Sequence, residues 1–192
     1  MIKSNPEYVK IGDRKYKINT SFKVALRCNE VIMDESISDY ERSLAVIYLL
    51  FGDEALENKE DIGKLMELAY KYLCCGEEKT DEEREEPDMD FIQDYNLIRA
   101  SFKSDYGIDI NEEDLHWWDF YTYLNGLSDT CVLNRIRELR TYDTSDLDFK
   151  EKTRIEKAKK RFRLKPRKKI ATQKEKDCAN KFYELMGMNR KE

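Results

Sequence analysis

Residues 8–31 read YVKIGDRKYKINTSFKVALRCNEV, and the spacing of their apolar positions changes partway along. Up to Ile18 the period is two: Val9, Ile11, Tyr16 and Ile18 flank Gly12-Asp13, the pattern of a short two-stranded hairpin. Two strands alone are marginally stable, so this hairpin is expected to lie against helices. From Ser21 the period becomes about 3.6, and Phe22, Ala25, Leu26, Cys28 and Val31 mark the inward side of a first helix. Reading on, Asp39 is placed as the N-cap of a second helix carrying Leu44, Ile47, Tyr48 and Phe51, stopped at Gly52. A third helix is expected from Asn58 or Lys59 through Ile62, Leu65, Met66, Ala69 and Tyr72 to Gly76.

The next stretch, EEKTDEEREEPDMD at residues 77–90, holds nine acidic and two basic residues with almost nothing to bury, which reads as a solvated linker. After it, Asp88 or Asp90 is read as capping a helix with Phe91, Tyr95, Ile98, Phe102 and Tyr106 on one face, ending at Gly107. Asn111, with Asp114 three residues on, is read as the cap of an aromatic helix, NEEDLHWWDFYTYLNGL, that ends at Gly126. Ser128 or Asp129 then starts another through Val132, Leu133, Ile136 and Leu139. Residues 150–176 hold fourteen Lys or Arg against three Glu, and Pro166 is expected to divide this basic stretch into two helical pieces.

The fold class is therefore mainly α: a multi-helix domain with a short N-terminal β-hairpin and a basic helical C-terminal tail. Its divisions fall at 1–76 (hairpin plus helices), 77–90 (acidic linker), 91–142 (an aromatic-rich helical segment packing with the first part) and 143–192 (the basic tail). With 192 residues, 39% charged and 40% hydrophobic, the chain can bury a core under a densely ionic surface. Residues 1–10 lack the apolar core of a signal peptide, and no run approaches the ~20 apolar residues of a membrane span, so a soluble, cytoplasmic chain is expected, with no membrane partner. Five scattered cysteines fit a reducing compartment better than a disulfide framework. Adjacent Cys74 and Cys75 lack the spacing of a metal site and are read as small buried hydrophobes.

Catalysis is not expected. A single histidine, His116, excludes most triads and histidine metal sites, and it is read as a hydrogen-bonding residue near a packed aromatic face. Phosphate loops, GxSxG and HExxH are missing, and seven glycines leave little material for them. Neither cofactor nor metal is expected. On the aromatic helix Trp117, Phe120, Tyr121 and Leu124 share a face, with Trp118 and Tyr123 nearer its edge. Trp117 is assigned to the core, while Trp118 is open to an anchoring role at an interface.

The segments Asp94 to Phe102 (DYNLIRASF), Asp105 to Asp109 (DYGID) and Leu115 to Phe120 (LHWWDF), with Leu124–Leu127 and Ile136-Arg137, resemble the central signature of the bacteriophage gene product 15 family. The likeness is carried by the second half; the first half shares the family's layout of an extended start followed by helices. The resemblance implies a small phage or prophage protein encoded in the tail region, without catalytic residues to carry over. By its place near the tape measure gene it implies a tail assembly chaperone binding the tape measure protein and other tail proteins. The partner-binding residues expected on that reading are Trp118, Tyr121, Lys159, Lys160, Arg161, Arg163, Arg167, Lys168 and Lys169, and self-association is compatible with the charge pattern. The alternatives are a nucleic-acid-binding regulator using the basic tail, disfavoured by a net charge of −5, and a structural tail component.

Overall fold

A computed structural model describes residues 4–34, 36–77 and 87–165. Among the described residues it holds eight α-helices, and its strands form a single two-stranded sheet. The chain divides into two compact units: residues 4–34, 36–77 and 115–120 in the first, and 87–114 and 121–165 in the second.

In the first unit β1 (Tyr8–Ile11) pairs antiparallel with β2 (Arg14–Lys17), in the register Val9↔Tyr16 and Ile11↔Arg14. Gly12 supplies the positive φ, 57°, that a two-residue turn requires at its first position. Tyr16 and Arg14 both donate to the Asp61 carboxylate, at 2.6 and 3.0 Å, and so tie the hairpin to the helical part. The hydrogen bond from Tyr16, then that from Arg14, holds the Asp61 carboxyl below its ordinary value, while burial pushes the Tyr16 phenol up.

Helix α1 (Phe22–Ile32) buries Phe22, Ala25, Leu26, Cys28 and Val31, as its apolar spacing dictates. Helix α2 (Asp39–Phe51) is capped one residue earlier than expected: Ser38, not Asp39, accepts from Glu41 N while Glu41 returns to Ser38 N, a capping box. Gly52 ends α2 at φ 81° and leads straight into α3 (Asp53–Glu57), a short helix that the sequence pattern hid because it buries only Ala55 and Leu56. The third expected helix begins later than Asn58 or Lys59. Lys59–Asp61 form a single 3-10 turn, and α4 runs from Ile62 to Leu73.

Helix α4 ends in a Schellman motif: Gly76 N–H donates to Lys71 O (2.9 Å) and Cys75 N–H to Tyr72 O (3.0 Å). Cys75 occupies the left-handed position, φ 54°, usually given to glycine. Cys74 and Cys75 are thus half-buried members of a turn and not fully buried apolar residues. Among the described residues Cys28, Cys74, Cys75 and Cys131 form no disulfide, and Cys178 lies outside those residues.

The second unit opens with a turn led by Asp90, whose carboxylate accepts from Ile92 N and Gln93 N, so the helix expected at Asp88 or Asp90 starts later, as α5 (Tyr95–Tyr106). It ends where predicted, at Gly107 in the left-handed region. The cap expected at Asn111 is not one. Asp109 is held by Arg99 through two 2.7 Å hydrogen bonds, residues 110–112 form a turn, and α6 begins only at Trp117, running to Asn125. Helix α7 (Val132–Thr141) is capped by Cys131 and not by Ser128 or Asp129. Helix α8 (Phe149–Phe162) is capped by Asp148, which accepts from Lys150 N and Glu151 N. Its end at Phe162 precedes Pro166, so the expected second helical piece lies outside the described residues.

The mainly helical class with an N-terminal hairpin is what the structure shows. No helix among the described residues is long and apolar enough to cross a membrane.

Candidate partner-binding surface

The start of the aromatic helix is positioned by backbone pairing within the first unit. Phe22 N–H donates to Leu115 O (2.9 Å) and Trp117 N–H to Thr20 O (2.7 Å), an isolated antiparallel bridge that keeps residues 115–116 extended and delays the helix start. His116 then serves as the cap. Its Nδ1 accepts from Trp118 N at 3.0 Å, which leaves the proton on Nε2, 3.2 Å from Pro6 O, as the complementary donor. Trp117, 1% exposed, stacks with Phe120 (centroids 5.8 Å), and Phe120 stacks with Phe22 (4.6 Å).

Both indoles have a second task. The last carbonyls of a helix have no partner inside it. Trp117 Nε1 donates to Leu73 O (3.1 Å) and Trp118 Nε1 to Tyr72 O (3.0 Å), so the pair caps the C-terminus of α4. The Trp118 ring lies over Gly76, where an added Cβ would sit 3.5 Å from its Cη2, and stacks on Tyr72 at 6.2 Å. Trp118 is half-buried and its N–H is committed within the chain. Burial pushes the neighbouring Cys75 thiol up to about 12, so it is a poor nucleophile at neutral pH. Among the described residues no three His, Cys, Asp or Glu side chains are grouped to hold a metal ion.

In the second unit Tyr121 is half-buried, and the basic residues lie on and after α8. Lys159, half-buried, donates to Tyr142 O (2.8 Å), whereas Lys160, Arg161 and Arg163 are exposed. Arg167, Lys168 and Lys169 lie outside the described residues.

Helix α8 is held by one face and one end. Ile155, Ala158 and Phe162 are half-buried, and Thr144 donates to Glu156 (3.0 Å). At the C-terminal end Arg140 Nε donates to Phe162 O (2.8 Å), and Gln93 exchanges two 2.8 Å hydrogen bonds with the backbone of Lys165. Arg140 is itself fixed by Asp94, a carboxylate only 3% exposed, through two 2.7 Å hydrogen bonds, and also donates to Asp88 O. This fork is the anchor for the second unit, and sequence reasoning did not pair the two residues because they stand 46 positions apart.

With 3.6 residues per turn, Phe149, Lys150, Thr153, Lys157 and Lys160 fall on the side of α8 opposite Ile155, Ala158 and Phe162. All five are exposed. Phe149 is 87% exposed, far more than any other large apolar residue described. Sequence reasoning missed it: a lone phenylalanine ahead of a basic run reads as core, and only the capping Asp148 immediately before it signals a helix start.

Comparison with curated proteins gives no match, and comparison with solved structures gives none either. The family model described as Bacteriophage Gp15 protein matches residues 2–164, extending the likeness beyond the second half to the hairpin and first helices. The chain belongs to the bacteriophage Gp15 protein family.

Proposed function

We propose that this phage protein is a non-enzymatic tail assembly chaperone that binds the tape measure protein during tail morphogenesis. Family membership supports a part in building the phage particle. The observation that carries the finer reading is α8, a helix of 14 residues with none buried, which offers an almost fully exposed phenyl ring among cations. Aromatic residues are enriched among the anchors of protein interfaces, and an exposed ring set among cations suits that use. A tape measure protein offers long amphipathic helices, which such a surface would cover until tube subunits replace it. Trp118, whose N–H already caps α4, contributes to this function mainly by holding its own unit together.

The test is co-expression with the tape measure protein of the same gene cluster, followed by pull-down and fractionation. A stable complex with more tape measure protein in the soluble fraction supports the proposal. An insoluble tape measure protein and no complex, with this chain itself well folded, refutes it.

A further inference from the structure

The geometry points to a specific chemistry for the bound segment: an acidic amphipathic helix laid along the outward face of α8, with Phe149 inserted into its apolar stripe. The inference rests on the chaperone reading and names what that reading leaves open, the kind of client segment and the residues that take it.

Three observations converge. First, α8 carries seven Lys or Arg and two acidic residues. Glu156 accepts from Thr144, and Glu151 falls on the side of Ile155, Ala158 and Phe162, whereas Lys150, Lys157 and Lys160 stand exposed on the outward face with exposed Arg154 and Arg161 on its flank. A segment that pairs with this row must bring carboxylates. Second, the row begins at Phe149, so the surface joins one apolar anchor to a cationic strip some three turns long, the footprint of a helix lying along a helix. Third, the fork of Arg140 with Asp94 and the Gln93–Lys165 pair hold α8 at its C-terminal end, and docking on the outer face disturbs none of these bonds.

Other occupants fit less well. Residues 1–148 hold 34 acidic against 18 basic side chains, an excess that repels the dense charge of duplex DNA, one phosphate per about 1.7 Å, more than the few carboxylates of one helix. Duplex DNA also offers no apolar stripe to a phenyl ring at the backbone. A second copy of the chain would have to receive Phe149, and a cleft on the first unit, about 290 Å³ and lined by Lys10, Ile11, Lys64, Glu67 and Leu68, sets two cations and a single carboxylate against the seven cations of α8, a poorer match than an acidic helix.

The experiment measures binding of the full chain to the tape measure protein and to synthetic peptides from its acidic and its basic amphipathic stretches, for wild type, Phe149→Ala, and Lys157→Glu with Lys160→Glu. Phe149 is so exposed that its loss leaves the fold intact, which circular dichroism checks. The expected result is binding of acidic peptides only, weakened about tenfold or more by either variant and by added salt. Wild-type binding that neither variant alters overturns the α8 assignment and leaves the chaperone reading standing. Equal binding of basic peptides overturns the acidic-helix chemistry. Absence of any binding to tape measure protein or peptides overturns both readings together. Duplex DNA binding, or self-association seen by sedimentation, that is lost in the same variants assigns the face to those occupants instead and overturns the inference.

Discussion

Replacing Arg140 by methionine is the sharpest perturbation of the second unit. The change keeps the length of the aliphatic stem but removes four hydrogen bonds: two to Asp94, one to Asp88 O and one to Phe162 O. The Asp94 carboxylate, 3% exposed, is left with the Asp90 N–H at 3.0 Å as its remaining donor among the described residues and no cation. Stranding one member of a buried ion pair costs about 3–5 kcal/mol, because the remaining charge keeps its desolvation penalty. Both partners are well covered, the Arg140 side chain being 11% exposed, so solvent screening does not reduce that figure much. At a urea slope of about 2 kcal/mol per molar, the unfolding midpoint followed by circular dichroism should fall by roughly 1.5–2.5 M. The double variant Arg140→Met with Asp94→Leu removes both charges and should recover to within about 1 kcal/mol of wild type. A loss below about 1 kcal/mol for the single variant, or a double variant less stable than the single, would refute the view that this pair anchors α5, α7 and the end of α8.

Other perturbations test other parts of the structure. Ser38→Ala breaks the capping box of α2 and should cost about 1 kcal/mol in the same urea assay. Gly107→Ala meets no atom within 4 Å but must hold φ 72°, so it should cost about 1–2 kcal/mol from backbone strain alone, with Gly107→Asn cheaper. Trp118→Phe removes the donor to Tyr72 O and should cost about 1 kcal/mol, less than Trp117→Phe, which also opens space in the core. The Arg99 hydrogen bonds, then the Asn111 N–H, hold Asp109 down to about 2. Because the folded value is depressed, the stability this carboxylate adds is present above its unfolded value of about 3.9 and is lost as pH falls through about 2. Arg99→Gln should therefore move the Asp109 titration, followed by carboxyl NMR, up toward the ordinary carboxylate range.

Local features were legible in the sequence and tertiary ones were not. The five inward residues of α1 follow from a 3.6 period, and the stops at Gly52 and Gly107 follow from the residue best suited to a left-handed backbone. The start of α6 was misread because Asn111 and Asp114 imitate a capping box, while the segment is drawn into extended pairing with Thr20 and Phe22, a contact that no local pattern announces. The turn after α4 was hidden for a related reason. Its left-handed position is filled by Cys75, and two indoles from a distant segment supply donors to its carbonyls. In the candidate surface, the charge of residues 150–163 was plain from composition, but which cations face outward depends on the packing of Ile155, Ala158 and Phe162. The exposure of Phe149 follows from the cap at Asp148, which fixes where the helix begins and hence which way its first side chain points.

The most direct test of the central claim is amide hydrogen exchange on the full chain, alone and in complex with the tape measure protein. Slowed exchange concentrated on residues 149–162, with the α4 turn and the indole pair unchanged, is the predicted result. Protection centred on Trp118 and the end of α4, with α8 exchanging as it does in the free chain, would contradict the account.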